Sequence, residues 1–221
     1  MLKHIKKKYN ISFTMLFMFL PVNVPIMAAT WVEIDSFLKP PEQYARLGEK
    51  LVRQGQIAYR LDNSFRFLAT EAAGPGVILG MRHRASGKGF LAHISMFNEI
   101  DPASWMGLDI AKRIEAIVQG EEGEVDFYLF GGWSCLVLFP TKYSAQRFIK
   151  EVSKTISVGN IYYQPTSCSL WCSALTIDME TGLVYEHLTP RNSYQEPTFF
   201  SIAKRALEVH VSFIFTGLQE I

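Results

Sequence analysis

The side chains best suited to chemistry in this chain are an imidazole and a thiol, at His93 and Cys135. A thiol becomes a strong nucleophile once a nearby imidazole accepts its proton, so a cysteine beside a histidine forms a reactive pair. Each residue also has a structural interpretation. His93 can be a hydrogen-bonded histidine of the core, and Cys135 can be a buried apolar cysteine or half of a disulfide.

His93 lies in a predicted β-hairpin, which decides where its side chain can act. Residues 76–82 and 90–96 are apolar, strand-like runs, and the turn-forming residues 86–89 lie between them. A hairpin this apolar has both faces covered, which predicts a position near the centre of a sheet. Arg82 is expected to face solvent or a partner strand, and His83 is expected at the surface near the turn.

The spacing of this region resembles the core motif of the protein N-terminal asparagine amidohydrolases and of the related chemoreceptor glutamine deamidases. Those families have a threonine or serine, a cysteine six residues later on a glycine-rich turn, and a histidine seventeen residues after the cysteine. Thr70 and His93 match the first and last positions without a gap, and Gly76 occupies the position of the cysteine.

The resemblance extends to two other runs and covers about residues 39–210. Residues 39–47, KPPEQYARL, resemble the Pro-Pro-Leu-Glu-Glu-Arg-Ala-Arg-Leu run of the amidohydrolases. Residues 125–134, VDFYLFGGWS, resemble their strand ending in Gly-Gly-Phe-Ser. The resemblance therefore implies the α+β fold of those families.

The resemblance also implies a carboxamide hydrolase. In those families the cysteine thiolate attacks a side-chain carboxamide and ammonia leaves. The histidine is the base and then the acid, the threonine or serine orients it, and backbone N–H groups of the turn hold the oxyanion. The resemblance therefore assigns the role of base and acid to His93 and the role of orienting residue to Thr70. Gly76 has no nucleophile but keeps its N–H. Cys135, three residues after Gly132, is the candidate for a relocated nucleophile.

Two functions remain open. The first is hydrolysis of a side-chain carboxamide on a peptide or protein, with ammonia release, in a form that is degenerate at Gly76. The second is an exported pseudoenzyme that binds a peptide or protein partner through the same cleft. Neither function needs a cofactor. The sequence has no CxxC pair and no HExxH motif, which argues against a zinc site.

The N-terminus has the pattern of a secretory signal peptide. Lysines precede a short apolar stretch at residues 11–20, and Ala28 and Ala29 supply small residues for cleavage. The alternative is an uncleaved anchor, but Pro21 and Pro25 break the run short of the roughly 20 residues that span a bilayer. We expect removal of residues 1–28, an exported protein (periplasmic or secreted) without a stable membrane span, and one domain over residues 30–221.

The remaining pattern predicts an α+β domain with helices packed on a mainly antiparallel sheet, because most strand-like runs pair as hairpins and do not alternate with helices. One helix is expected after Pro41, with Tyr44, Leu47 and Leu51 on one face and Gly55 as its C-terminal stop. A second helix is expected after Ser104, its N-cap. Further helices are expected from Thr141 and over residues 197–209. Further strands are expected at 125–130, 135–139, 160–164, 168–178, 183–188 and 211–215.

Composition excludes several classes of protein. Of 221 residues, 48% are hydrophobic, which is ample for a core and argues against disorder. A formal net charge of +1 provides no basic footprint for nucleic acid.

Three cysteines allow one disulfide in an exported protein. Cys168 and Cys172 lie about 13 Å apart on a strand, too far to bridge, so a bond from Cys135 to either stays open.

Overall fold

Two β-sheets stacked face to face, with helices on the outer side of the larger one, organise the fold. The computed structural model describes residues 29–46, 48–71, 76–94, 100, 104–131, 141–164, 174–187 and 218–221. Within these residues eleven strands and two α-helices form a layered α+β structure. The predicted fold class is confirmed.

The larger sheet has seven strands among the described residues. In spatial order they are β1 (Thr30–Glu33), β8 (Val158–Tyr163), β7 (Val125–Gly131), β5 (Val77–His83), β6 (Gly89–Ile94), β3 (Gln56–Arg60) and β11 (Gln219–Glu220). The smaller sheet has the order β10 (Val184–Glu186), β9 (Leu175–Asp178), β4 (Phe67–Thr70) and β2 (Lys50–Val52). The helices are α1 (Trp105–Val118), α2 (Thr141–Val152) and a short 3-10 helix at Glu42–Arg46.

Both sheets are mixed, which refines the prediction of a mainly antiparallel sheet. The central pairings β7–β5–β6–β3 and β4–β9–β10 are antiparallel. The pairings of β1 with β8, β8 with β7, β11 with β3 and β2 with β4 are parallel. Short turns join the antiparallel pairs β5–β6 and β9–β10, whereas parallel neighbours need a longer connection between them.

The predicted hairpin, β5–β6, lies at the centre of the larger sheet, and every residue of both strands is buried. Alternate side chains of a strand point to opposite faces. Val77, Leu79 and Met81 accordingly pack with the helices, whereas Ile78 and Leu91 pack against the smaller sheet. The hairpin therefore belongs to both cores of the molecule.

Both α-helices form where the sequence predicted them. Ser104 caps α1, since its side chain accepts a hydrogen bond from the Gly107 N–H. The chain leaves α1 through Gly120, which has a φ of +78°. In α2 the predicted apolar face is buried, comprising Ala145, Phe148, Ile149 and Val152.

The helix predicted after Pro41 is wrong in length. Only a 3-10 helix at Glu42–Arg46 forms, and Leu51 lies in strand β2. Gly48 has a φ of +71°, which L-residues disfavour, and the chain turns there towards β2. Gly55, expected to stop a helix, instead has a φ of +80° in the turn from β2 to β3.

Several predicted elements lie outside the described residues. They are the signal peptide, Leu47, the strand at 135–139, the first part of the strand at 168–178, the helix at 197–209 and the strand at 211–215. Within the described residues, neither α-helix has the length and apolarity needed to cross a membrane.

Candidate functional site

The candidate site lies between the two sheets, where β4 ends and β6 approaches its own end. Thr70 is the last residue of β4 in the smaller sheet, and His93 is the fifth residue of β6 in the larger one. Leu91, two residues before His93, packs against the smaller sheet, so strand alternation turns His93 to the same side. Stacking of the sheets therefore brings the two side chains together.

Thr70 and His93 form a buried hydrogen bond. Thr70 Oγ1 lies 3.0 Å from His93 Nδ1, and the two residues are 0% and 3% exposed. Thr70 Oγ1 also lies 3.4 Å from the carbonyl oxygen of Glu71, to which its proton can go. With the proton placed there, Oγ1 can accept a hydrogen bond from Nδ1–H in the tautomer that carries its proton on Nδ1. That tautomer is the one a general base requires.

Gly76 is buried and directly precedes β5. Ile78 is the register partner of His93, and Val77 pairs with Ile94. Gly76 thus precedes the partner of His93 by two residues, a diagonal position that places Cα atoms roughly 7–8 Å apart across a sheet. Continuing this register by one residue puts Gly76 diagonal to His93 at the end of the strand pair.

Strand β7 ends beside the same place. Gly131, with a φ of +73°, pairs with Val77. Cys135 follows four residues later and lies outside the described residues, as do Cys168 and Cys172. The candidate nucleophile and the disulfide alternatives therefore stay predictions.

Two contacts that hold the site were missed by the sequence analysis. The Glu71 side chain is 11% exposed, and its Oε1 lies 3.6 Å from Arg53 Nε, so it ties the end of β4 to the end of β2. The Gly55 N–H donates to the carbonyl oxygen of His93 at 2.8 Å. The only signals in the sequence were an acidic residue directly after an apolar strand and a glycine in a turn.

Arg82 is buried, so the solvent alternative for it is wrong and the partner-strand alternative is confirmed. Its Nη1 lies 3.9 Å from Asp126 Oδ2 on β7. Its Nε donates to the Met179 carbonyl at 2.7 Å, and its Nη2 donates to the Glu180 carbonyl. These bonds satisfy the guanidinium between the sheets, as a buried charge requires.

The surface position predicted for His83 is wrong. The residue is 1% exposed, and its Nδ1 lies 2.9 Å from Ser86 Oγ. The loop between α1 and β7 covers the ring, since a Cβ added to Gly123 would lie 3.3 Å from Nε2. The polar residues around His83 predict a surface position, but a segment distant in sequence packs over the ring and buries it.

No family model matches the chain, and no curated protein matches it. Among the described residues, no cluster of histidine, cysteine, aspartate and glutamate is arranged to hold a metal ion. What the described residues bring together is the His93 imidazole and the Thr70 hydroxyl, with Gly76 diagonal to His93 in the register of β5 and β6.

Proposed function

We propose that this protein is an amidohydrolase-like domain, of the N-terminal asparagine amidohydrolase type, that binds a side-chain carboxamide of a peptide or protein. Lacking a thiol at Gly76, it does not hydrolyse that amide at enzymatic rates. The observation that carries the proposal is the buried hydrogen bond between Thr70 and His93. It joins the two residues to which the resemblance assigns the base and its orienting hydroxyl.

The chemistry of the pair explains why binding survives when turnover does not. In a cysteine mechanism the sulfur attacks the carbonyl carbon, and the C–N bond breaks from the resulting intermediate. Gly76 supplies no sulfur. We propose the His93 ring as the acceptor for the carboxamide NH2 and the Gly76 N–H as the donor to the carboxamide carbonyl oxygen. A carboxamide has both an NH2 donor and a carbonyl acceptor, whereas a carboxylate has only acceptors.

One observation favours a second function, hydrolysis with a nucleophile from another strand. The pairing of Gly131 with Val77 ends β7 next to Gly76, and Cys135 follows β7. If that cysteine is the nucleophile, the wild-type protein releases ammonia and Cys135→Ala abolishes the release. Ammonia release that persists in Cys135→Ala would exclude this route.

Replacing Thr70 with valine is expected to weaken binding of a peptide with N-terminal asparagine about tenfold, because Nδ1 of His93 loses its partner and the ring its orientation. Isothermal titration calorimetry with asparagine and aspartate peptides measures the effect. Thr176→Val is the matched control, since Thr176 is also fully buried and its hydroxyl also bonds to a side chain, that of Glu49. Equal weakening by both variants would contradict a role of Thr70 in the site.

Export is proposed on the lysine-rich start, the short apolar stretch and the small residues at 28 and 29. The expected mature protein lacks residues 1–28. Intact-mass spectrometry of the protein recovered outside the cytoplasm measures this directly. A protein that keeps Met1 and stays in the membrane fraction would contradict it.

A further inference from the structure

A cavity of about 480 Å³ lies between α1 and the edge of the larger sheet. Its volume falls within the range of small-molecule sites. The cavity lies on the helix side of the sheet, because Ile57, in its wall, and Ala92, the register partner of Ile57, both belong to the core under the helices. His93 faces the other side. This cavity is therefore separate from the candidate carboxamide site.

Apolar side chains form most of the cavity wall. Ile57, Met106 and Ile110 are 3%, 4% and 2% exposed and form the floor. Leu218 lines the side, and Leu108, which is 50% exposed, stands at the mouth. A half-exposed leucine beside a concave apolar wall provides area that a ligand can remove from water.

The polar groups of the cavity are divided between those already paired and those still available. Arg113 is bound by two carboxylates, with Nε 3.2 Å from Asp109 Oδ2 and Nη1 2.7 Å from Glu220 Oε2. Its guanidinium also lies 4.9 Å from the centre of the Tyr59 ring. Asp109 and Glu220 thus each have a cationic partner, and the cavity presents no carboxylate without one.

Three side chains of the cavity still have hydrogen-bond donors available. Among the described residues, the Tyr59 hydroxyl, Arg113 Nη2 and Lys112 Nζ have no hydrogen-bond or ion-pair partner. Burial raises the pKa of Tyr59 far above its ordinary value, although Arg113 opposes the shift, so the phenol keeps its proton. Lys112 and Arg113 balance the formal charges of Asp109 and Glu220, so the lining carries no net negative charge.

We infer that this cavity binds an amphipathic monocarboxylate, a ligand with an extended apolar tail and one carboxylate head. The tail lies on Ile57, Met106 and Ile110, and Leu108 closes over it. The head accepts hydrogen bonds from the Tyr59 hydroxyl and from Lys112. A cationic head is disfavoured because both carboxylates are already paired with Arg113.

Titration calorimetry of the full-length protein with decanoate, below its micellar range, tests the inference. Decanol and decylammonium are the head-group controls. We expect saturable binding of one decanoate, with Tyr59→Phe and Lys112→Met each weakening it about tenfold, the effect of one hydrogen bond to a charged group.

Leu108→Glu should abolish binding, because it places a carboxylate at the mouth. Leu183→Glu is its matched control, since Leu183 is 45% exposed and does not line the cavity. Lys154→Met controls for loss of a surface charge.

Three results would overturn the inference. The first is no saturable decanoate binding by the folded wild-type protein. The second is binding of decanol or decylammonium as tight as that of decanoate, which would refute the carboxylate head. The third is equal effects of the cavity variants and their controls, with circular dichroism showing all of them folded. His93→Ala should leave decanoate binding unchanged, so failure here and failure of the proposed carboxamide site are distinguishable.

Discussion

Gly76→Cys is expected to release ammonia from a peptide with N-terminal asparagine about a hundredfold or more faster than the wild-type protein, the scale of positioned acid–base catalysis acting on a new nucleophile. The reason is geometric. Thr70 already holds the His93 ring at 3.0 Å, and position 76 is diagonal to His93 across the β5–β6 pair. A thiol at that position would have its base in place.

The controls for this variant separate chemistry from folding. Gly76→Ala adds a Cβ without a thiol. Its melting temperature measures how much stability any side chain takes away at this buried position. Gly76→Cys combined with His93→Ala keeps the thiol and removes the base. Ammonia release that is equal in the single and the double variant would contradict the assignment of His93 as base. A folded Gly76→Cys protein with wild-type activity would contradict the placement of position 76.

Asp178→Ala is expected to lower the free energy of unfolding by about 3–5 kcal/mol, the scale for breaking a buried ion pair from one side. The Asp178 side chain is fully buried. It accepts hydrogen bonds from Arg66 Nε at 2.9 Å and Nη2 at 2.6 Å, from the Glu180 N–H at 3.0 Å and from Thr181 Oγ1 at 2.8 Å. Its removal takes the acceptor from Arg66 Nε, the Glu180 N–H and the Thr181 hydroxyl where β9 turns into β10, and leaves Arg66 with Tyr44 and the exposed Glu180.

Urea denaturation with Glu180→Ala as the matched control measures this effect. Glu180 pairs with the same arginine at 3.1 Å, but its side chain is 53% exposed, so its loss is expected to cost at most about 1 kcal/mol. Similar losses for both variants would contradict the importance of burial at Asp178.

The contribution of Asp178 should also depend on pH. Burial pushes its pKa upward, but hydrogen bonds from Arg66, Thr181 and the Glu180 N–H outweigh burial and leave the pKa below its ordinary value. A carboxyl group with a lowered folded pKa stabilises the fold above its unfolded pKa of about 4 and loses that contribution as pH falls further. The stability difference between the wild-type protein and Asp178→Asn should therefore shrink in acid. A constant difference from neutral to acidic pH would contradict this.

Local patterns predicted the elements whose signals lie within a few residues. Two apolar, strand-like runs and the turn residues between them predicted the β5–β6 hairpin, and its two covered faces predicted its central place. Ser104 and the spacing of isoleucines predicted α1 and its cap. These features depend on contacts between near neighbours in sequence, which a pattern can record.

The features that the sequence did not predict depend on contacts between distant segments. Arg82 is satisfied by Met179, which lies 97 residues later. The helix expected after Pro41 ends early, and Leu51 instead pairs with Ala69 in β4. The contact between Thr70 and His93 was expected from the resemblance to a known family, and the residue pattern alone could not predict it because it needs two sheets to stack.

The most direct test of the central claim is an NMR titration of the wild-type protein with a peptide whose N-terminal asparagine carries ¹⁵N in its side-chain amide. We predict a saturable shift of that amide signal, absent in the His93→Ala variant, with no ¹⁵N-ammonium forming over hours at a protein concentration equal to that of the peptide. Ammonium that forms within minutes would contradict the loss of the nucleophile, and an amide signal unmoved by the protein would contradict the carboxamide site itself.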